Sequence, residues 1–106
     1  RFTTIASMGV DTEEEVDLPV AYELGQNYPN PFNPQTTIPF ALPSSQKVSL
    51  VVYDMLGRQL EVLVDGVMSA GNHQAVWNAQ NMPSGMYVYR LTTPNGVQTR
   101  LMQLIK

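Results

Sequence analysis

The sequence predicts an all-β domain, an immunoglobulin-like antiparallel β-sandwich of about seven strands. From residue 36 onward, short segments alternate apolar and polar residues with a period of two, as half-buried strands do. Clusters of Gly, Pro and Asn separate these segments at the spacing typical of sandwiches. No segment shows a convincing helical period, and a chain of 106 residues with 43% hydrophobic residues can bury one modest core.

A stiff, irregular loop at residues 27–34 precedes the first clear strand. It contains three prolines, each of which fixes its own φ and moves the preceding residue out of the helical region. The Asn side chains can bond nearby backbone groups in Asx-turns. The large side chains of Tyr28 and Phe32 are expected to anchor the loop on a core.

The first predicted hairpin follows this loop. The strand at 37–42 contains Pro39, which cannot donate to a ladder, so an edge position is expected for it. The strand at 48–53 is the richest apolar run and is predicted to be central. A turn at 54–58, where Gly57 can adopt positive φ, leads to the return strand at 60–64.

Three more strands complete the predicted sandwich, at residues 73–78, 86–91 and 97–105. The first two are joined through a turn at 81–85. The last two are joined at 94–96, where Asn-Gly favours a hairpin turn of the primed types.

The N-terminal segment has a different character. Residues 1–10 are read either as a short seventh strand or as the end of an upstream module. Residues 11–17 are an acidic run of the kind that usually forms a solvated linker. We expect residues 1–21 to be an acidic linker or tail of an upstream domain and residues 22–106 to be the folded domain. Because the chain begins at Arg rather than Met, it is expected to be part of a longer protein.

Charge and composition exclude several classes of function. Of the net charge of −3, the first 17 residues contribute −4 and the remainder +1. No basic stripe predicts nucleic-acid or anionic-membrane binding, and no apolar run is long enough for direct membrane insertion. The absence of cysteine excludes disulfides and a thiol nucleophile.

The sequence contains no recognisable motif for a catalytic site or a metal site. The one histidine, His73, could be combined with Ser69 and Asp65 into a Ser–His–Asp triad, but no sequence motif supports the geometry that such a triad needs. Metal ligands would have to come from Asp54, Asp65 and Asn78, whose spacing matches no EF-hand or zinc pattern. We therefore predict no catalytic residue, no metal and no cofactor, with a single structural Ca²⁺ in a loop as the one alternative left open.

Four aromatic residues are open to two interpretations. Tyr53, Trp77, Tyr87 and Tyr89 could line a sugar-binding face by stacking on apolar ligand surfaces. Their alternation within strands favours packing in the core instead.

Residues 22–106 resemble the C-terminal sorting domains of the type IX secretion system (type A, Por secretion system) nearly end to end. The resemblance begins with the loop at 27–34 and the strand at 37–43. It continues through 52–54, 71–73 and 84–91, and it includes five positions expected to be structural: Tyr28, Gly57, Trp77, Gly85 and Tyr87. One departure is Arg100, where the family often has Lys; the charge is kept, but the two side chains are not interchangeable in a bidentate contact.

The resemblance implies a secretion signal rather than an enzyme. Such a module directs an upstream cargo, often a secreted hydrolase, through the periplasm and across the outer membrane to the cell surface or the medium. The implied partners are the type IX translocon and outer-membrane carrier and processing proteins. A weak homodimer formed by edge pairing of the final strand is also left open. We hypothesise that recognition uses a surface formed by the loop and the last strand, with these residues: Asn30, Pro31, Phe32, Asn33, Pro34, Arg100 and Lys106.

Two other functions fit the predicted fold. One is a structural immunoglobulin-like module of the kind found in flagellar hook-cap proteins, which have a similar proline–asparagine entry and strand pattern. The other is a carbohydrate-binding module of a multidomain glycosidase. Fold alone does not choose among the three.

Overall fold

The computed structural model describes residues 21–106. They form seven strands without a helix, which confirms the predicted all-β class. The strands are β1 (Glu23–Leu24), β2 (Gln35–Leu42), β3 (Gln46–Asp54), β4 (Gln59–Met68), β5 (Gly71–Asn78), β6 (Gly85–Thr93) and β7 (Gly96–Leu104). The seventh strand is thus β1, while the strand considered at residues 1–10 lies outside the described residues.

The strands form two antiparallel sheets that face each other as a sandwich. One sheet has three strands in the order β1-β2-β5, and the other has four in the order β4-β3-β6-β7. β3 is flanked on both sides, as its apolar sequence predicts. β2 lies beside β5 and β3 beside β6, so residues far apart in the sequence are brought together.

The core lies between the sheets and is formed by alternate residues of each strand. Trp77 is 2% exposed, and its ring packs at 5.8 Å from that of Phe32 and edge-on at 5.4 Å from that of Tyr87. Its indole N–H donates to a Glu61 carboxylate oxygen at 3.1 Å. Since Trp77, Tyr87 and Tyr89 are all buried, the core interpretation of these aromatic residues is confirmed.

The edge position expected for the strand with Pro39 is wrong, because β2 lies between β1 and β5. The physical reason is that β1 has only two residues, which pair with Phe40 and Ala41. Pro39 lies just past that pairing, and its carbonyl accepts from the Gly25 N–H at 2.9 Å. In an antiparallel strand, the N–H and C=O of one residue point to the same side. The N–H that Pro39 lacks would therefore face β1, and the pairing of β2 with β5 loses no hydrogen bond.

The two predicted hairpin turns are present, but one differs in type. Between β3 and β4, the Gly57 N–H donates to the Asp54 carbonyl at 3.0 Å, and Gly57 has φ +86°. Between β6 and β7, Thr93 pairs with Gly96, which leaves Pro94 and Asn95 as the loop. The primed turn expected there is wrong, because proline fixes negative φ at the first central position, where primed turns need positive φ.

Candidate recognition surface

The loop at residues 27–34, here called the entry loop, is fixed to the sandwich by the phenol of Tyr89. This hydroxyl donates to the Gly25 carbonyl at 2.7 Å and accepts from the Asn27 N–H at 2.8 Å. Burial raises the pKa of Tyr89, although the Asn27 bond and the nearby Arg100 charge act in the opposite direction. The phenol therefore stays protonated and can serve as donor and acceptor together.

A second set of bonds closes the loop on itself. Asn27 is 2% exposed, and its amide nitrogen donates to the Pro29 carbonyl at 3.2 Å and to the Thr36 hydroxyl at 3.0 Å. The Thr36 hydroxyl donates to the same Pro29 carbonyl at 3.0 Å. The peptide bonds before Pro29, Pro31 and Pro34 are all cis. The expected Asn side-chain bonding within the loop is confirmed at Asn27, whose buried side-chain amide has partners at both its nitrogen and its oxygen.

The middle of the entry loop pairs with the end of β7. The Phe32 N–H donates to the Gln103 carbonyl at 2.9 Å, and the Ile105 N–H donates to the Phe32 carbonyl at 2.9 Å. The Gln103 N–H donates to the Asn30 side-chain oxygen at 3.0 Å. These bonds bring together the two stretches that the sequence singled out, so the loop acts as a short extra strand beside β7.

The hypothesised recognition residues divide by exposure. Asn30, Pro31 and Asn33 are exposed, and Pro34 is partly buried. Phe32 is 1% exposed and packs on Trp77, so it anchors the loop as expected. The same expectation is wrong for Tyr28. Tyr28 is 48% exposed. Its backbone pairs with Thr37, and its hydroxyl accepts from the exposed Gln74 side chain at 2.7 Å, so the residue lies at the surface instead of in the core.

The two basic candidates lie apart on the surface. The Lys106 ammonium is exposed and donates to the Gln80 carbonyl at 2.9 Å, in the loop that follows β5. The Arg100 guanidinium Nε donates to the Leu24 carbonyl of β1 at 2.6 Å. Arg100 therefore contacts the opposite sheet instead of the entry loop. Among the hypothesised residues, the loop and Lys106 lie at the end of the sandwich where β2 begins and β7 ends.

The remaining motif positions have structural surroundings. Tyr87 is 5% exposed and its hydroxyl donates to the Pro83 carbonyl. Burial and the nearby Asp54 charge raise the pKa of Tyr87. Gly57 and Gly85 have φ of +86° and +151°, which side chains with a Cβ rarely adopt.

Sequence reasoning missed three residues whose side chains join β6 or β7 to the segment at residues 24–27. The Gln98 side-chain oxygen accepts from the Leu24 N–H at 2.7 Å, and the Gln26 side chain donates to the Leu101 carbonyl at 3.0 Å. The sequence predicts a role only for the ring of Tyr89, whereas its hydroxyl bonds Gly25 and Asn27. Alternation within β6 and β7 places the Tyr89 and Gln98 side chains on the inward face, whereas Gln26 lies outside any strand. None of the long-range partners can be identified without the fold.

The alternatives with catalytic or sugar-binding chemistry find no assembled site in residues 21–106. The His73 ring stacks on Phe40, and its Nε2 faces the backbone carbonyl of Ser69 at 2.8 Å, not a hydroxyl. No group of three or more His, Cys, Asp or Glu side chains in this part of the chain is placed to hold a metal ion. Within the same range, no helix has the length and apolarity needed to cross a membrane. The core position expected for Tyr53 is wrong, because Tyr53 is partly exposed and is not part of the core cluster. The Arg90 guanidinium lies over its ring, 4.7 Å from the centroid.

Most of the residues that form these two sheets and the entry loop match the model of a known family. The family model described as the secretion system C-terminal sorting domain matches residues 26–105. Because this match covers most of the chain, the protein belongs to that family of type IX secretion sorting domains. A sorting signal of this kind implies export across the outer membrane.

A solved structure supports the same assignment. The chain is similar to part of PorZ, described as an essential bacterial surface component of the type IX secretion system of Porphyromonas gingivalis. The TM-score is 0.56 at 25% identity, with 76% of this chain covered and 11% of PorZ. The chain thus spans a small part of PorZ's length. The curated proteins contain no match to this chain.

Proposed function

We propose that this domain directs the export of an upstream cargo, and that the cargo is a secreted hydrolase delivered to the cell surface or the medium. The family match over residues 26–105 supports the sorting role. The hydrolase cargo is proposed because sorting domains of this kind often follow secreted hydrolases. The acidic segment at residues 11–17 is a suitable tether, and it is also where we place cleavage by the processing machinery. Enzymatic activity, on this account, belongs to the cargo.

We further propose that translocon and carrier proteins read the end of the sandwich formed by the entry loop and the last residues of β7. The exposed amides of Asn30 and Asn33 and the ammonium of Lys106 are polar groups that the core does not require. Phe32 and the β7 bonds hold the loop in one shape, so little conformational entropy is lost on binding. Arg100 contributes through its contact with β1.

The test is export of a reporter fused to the N-terminus of the full 106-residue chain in a host with a type IX system. Asn33→Ala and Lys106→Ala remove exposed groups, and Asn72→Ala is a matched control because Asn72 is an exposed asparagine on β5. The first two variants are expected to retain reporter in the periplasm while all three melt alike. Normal export of both would refute this surface.

Deletion of residues 103–106 is a less informative test. It removes Leu104, which is 1% exposed, as well as the Gln103 bonds that hold the entry loop. Loss of a buried Leu side chain costs about 2–5 kcal/mol. Failed export of this truncation would therefore not separate lost recognition from unfolding.

A further inference from the structure

β7 is one of the two outermost strands of the larger sheet. It pairs with β6 from Gly96 to Leu104 without a shift of register. In the two-residue hairpin, Thr93 and Gly96 form the closing pair, so even-numbered residues of β7 exchange hydrogen bonds with β6. The N–H and C=O groups of odd-numbered residues point away from β6. The Gln103 groups, which bond to the entry loop, confirm this direction.

The two halves of this edge differ. In the C-terminal half, the Gln103 N–H and C=O bond to the entry loop, and the Leu101 carbonyl accepts from Gln26. In the N-terminal half, the outward N–H and C=O of Val97 and Thr99 and the N–H of Leu101 have no partner within residues 21–106. We call residues 97–101 the open edge.

Two other edges are modified in ways that discourage strand pairing. In β1, the outward Leu24 groups are bonded by the side chains of Gln98 and Arg100. In β4, the pairing with β3 is interrupted by two register shifts. The open edge has an unbroken register, no proline and no acidic residue, and the fourth edge, β5, shares these three features. Of the two, only the open edge carries a charged side chain, Arg100. It is suited to main-chain pairing with another strand.

Side chains beside the open edge restrict what can bind there. Val97 and Leu101 are 53% and 49% exposed and lie on the outer face, with exposed Thr99 between them. A strand added at this edge would place a residue opposite Thr99 between these two apolar side chains. On the other face, Arg100 is exposed and has no carboxylate within salt-bridge distance in the described part of the chain.

We propose that the open edge is a β-strand-addition site for an extended segment of a protein that recognises this sorting domain. The segment has apolar residues at alternate positions and a carboxylate opposite Arg100. The inference rests on the proposed sorting function, and it assigns the binding of the partner to the open edge of β7. The carboxylate follows from charge complementarity with an arginine that is opposed by no acid in residues 21–106.

A second copy of this chain fits the edge less well. Antiparallel pairing of two β7 strands centred on Thr99 would place Arg100 opposite Gln98 of the other copy. Two guanidinium groups would then lie close together without a carboxylate from either β7, since residues 96–104 contain none. Their positions are diagonal across the pair, within reach of long side chains, and the repulsion between the two charges opposes pairing.

The first test is a titration of the full chain with the peptide acetyl-Thr-Val-Glu-Val-Thr-Val-Thr-amide, followed by NMR. In an antiparallel arrangement its Glu lies opposite Arg100 and its second Val opposite Thr99. Hydrogen exchange of the Thr99 and Leu101 amides is expected to slow by at least about tenfold at saturation. A peptide with Lys in place of Glu is the matched control and is expected to bind at least about tenfold more weakly.

The second test uses proline to block the edge. In Thr99→Pro the lost N–H is one that β6 does not use, and proline is tolerated at sheet edges. The matched control is Val76→Pro on β5. Val76 is paired with Thr37 of β2, but both backbone groups of Thr37 bond to Tyr28 on the other side of β2. The backbone N–H and C=O of Val76 therefore also point away from the sheet. Both variants are expected to fold, and only Thr99→Pro is expected to lose peptide binding and reporter export. If Thr99→Pro fails to fold, Thr99→Lys introduces an exposed charge at the same place.

The outcomes separate this inference from the sorting proposal. Export of the folded edge variant at the wild-type level overturns the edge site and leaves sorting intact. If the unmodified chain itself gives no export, sorting fails and the peptide titration alone decides the edge. Peptide contacts confined to β5, or protection of the Thr99 amide that grows with protein concentration without peptide, overturn the proposed partner.

Discussion

Replacing Tyr89 by Phe tests how the entry loop is fixed to the sandwich. The substitution keeps a ring that is 0% exposed and removes only the hydroxyl that bonds Gly25 and Asn27. Asn27 is 2% exposed, so its N–H would be left buried without a partner, at a cost of about 1–3 kcal/mol. The partly exposed Gly25 can recover a bond from water and adds less. We expect a total loss of about 2–4 kcal/mol in the free energy of unfolding.

Tyr87→Phe is the matched control on the same face of β6. Its hydroxyl has one partner, the carbonyl of the exposed Pro83, so the expected loss is about 0.5–1.5 kcal/mol. Urea unfolding followed by fluorescence of the one tryptophan, Trp77, measures both variants. Equal losses for the two variants would refute the role assigned to the Tyr89 hydroxyl.

Three further predictions concern the core and the β3–β4 turn. Trp77→Ala should lower the free energy of unfolding by about 3–5 kcal/mol, measured by circular dichroism during denaturation, because the side chain is 2% exposed; a loss typical of a surface substitution would contradict its core role. Gly57→Ala should destabilise by about 1 kcal/mol because of the +86° φ, although nothing within 4 Å would meet the new Cβ, and a neutral result would argue against that backbone conformation. The pKa of Asp54 is lowered by hydrogen bonds from the Arg58 backbone, the Arg58 side chain and the Leu56 backbone. The ionised carboxylate should therefore stabilise the folded domain above the unfolded pKa of 3.8, and this stabilisation should be lost as pH falls through the lower folded pKa. Thermal melts of Asp54→Asn should lack that part of the acid dependence; an unchanged pH profile would contradict it.

Local sequence signals predicted much of the fold. Alternation located the inward faces of β2, β3, β5 and β6, and Gly57 marked its turn correctly. The two errors in strand order and turn type both involve proline. At Pro39 the rule for edge strands could not anticipate a neighbour as short as β1, and at Pro94 the ring overrode the preference of Asn-Gly.

The candidate surface was only partly predictable. The entry loop and the last strand were recognised as important by their residues, but their mutual pairing depends on contacts across more than 70 positions, such as Gln103 to Asn30. Such a bond has no local signature. For the same reason, Tyr28 was expected to be an anchor because it is large, whereas the backbone of the loop places it at the rim.

The central claim is that this chain carries the information for type IX export. The most direct measurement is the location of a periplasmic reporter fused to the full chain, in a host with an intact type IX system and in a translocon-deficient strain. The account predicts reporter at the surface or in the medium of the first strain and only in the periplasm of the second. Periplasmic retention of a well-folded fusion in both strains would contradict it and would favour a structural or carbohydrate-binding module.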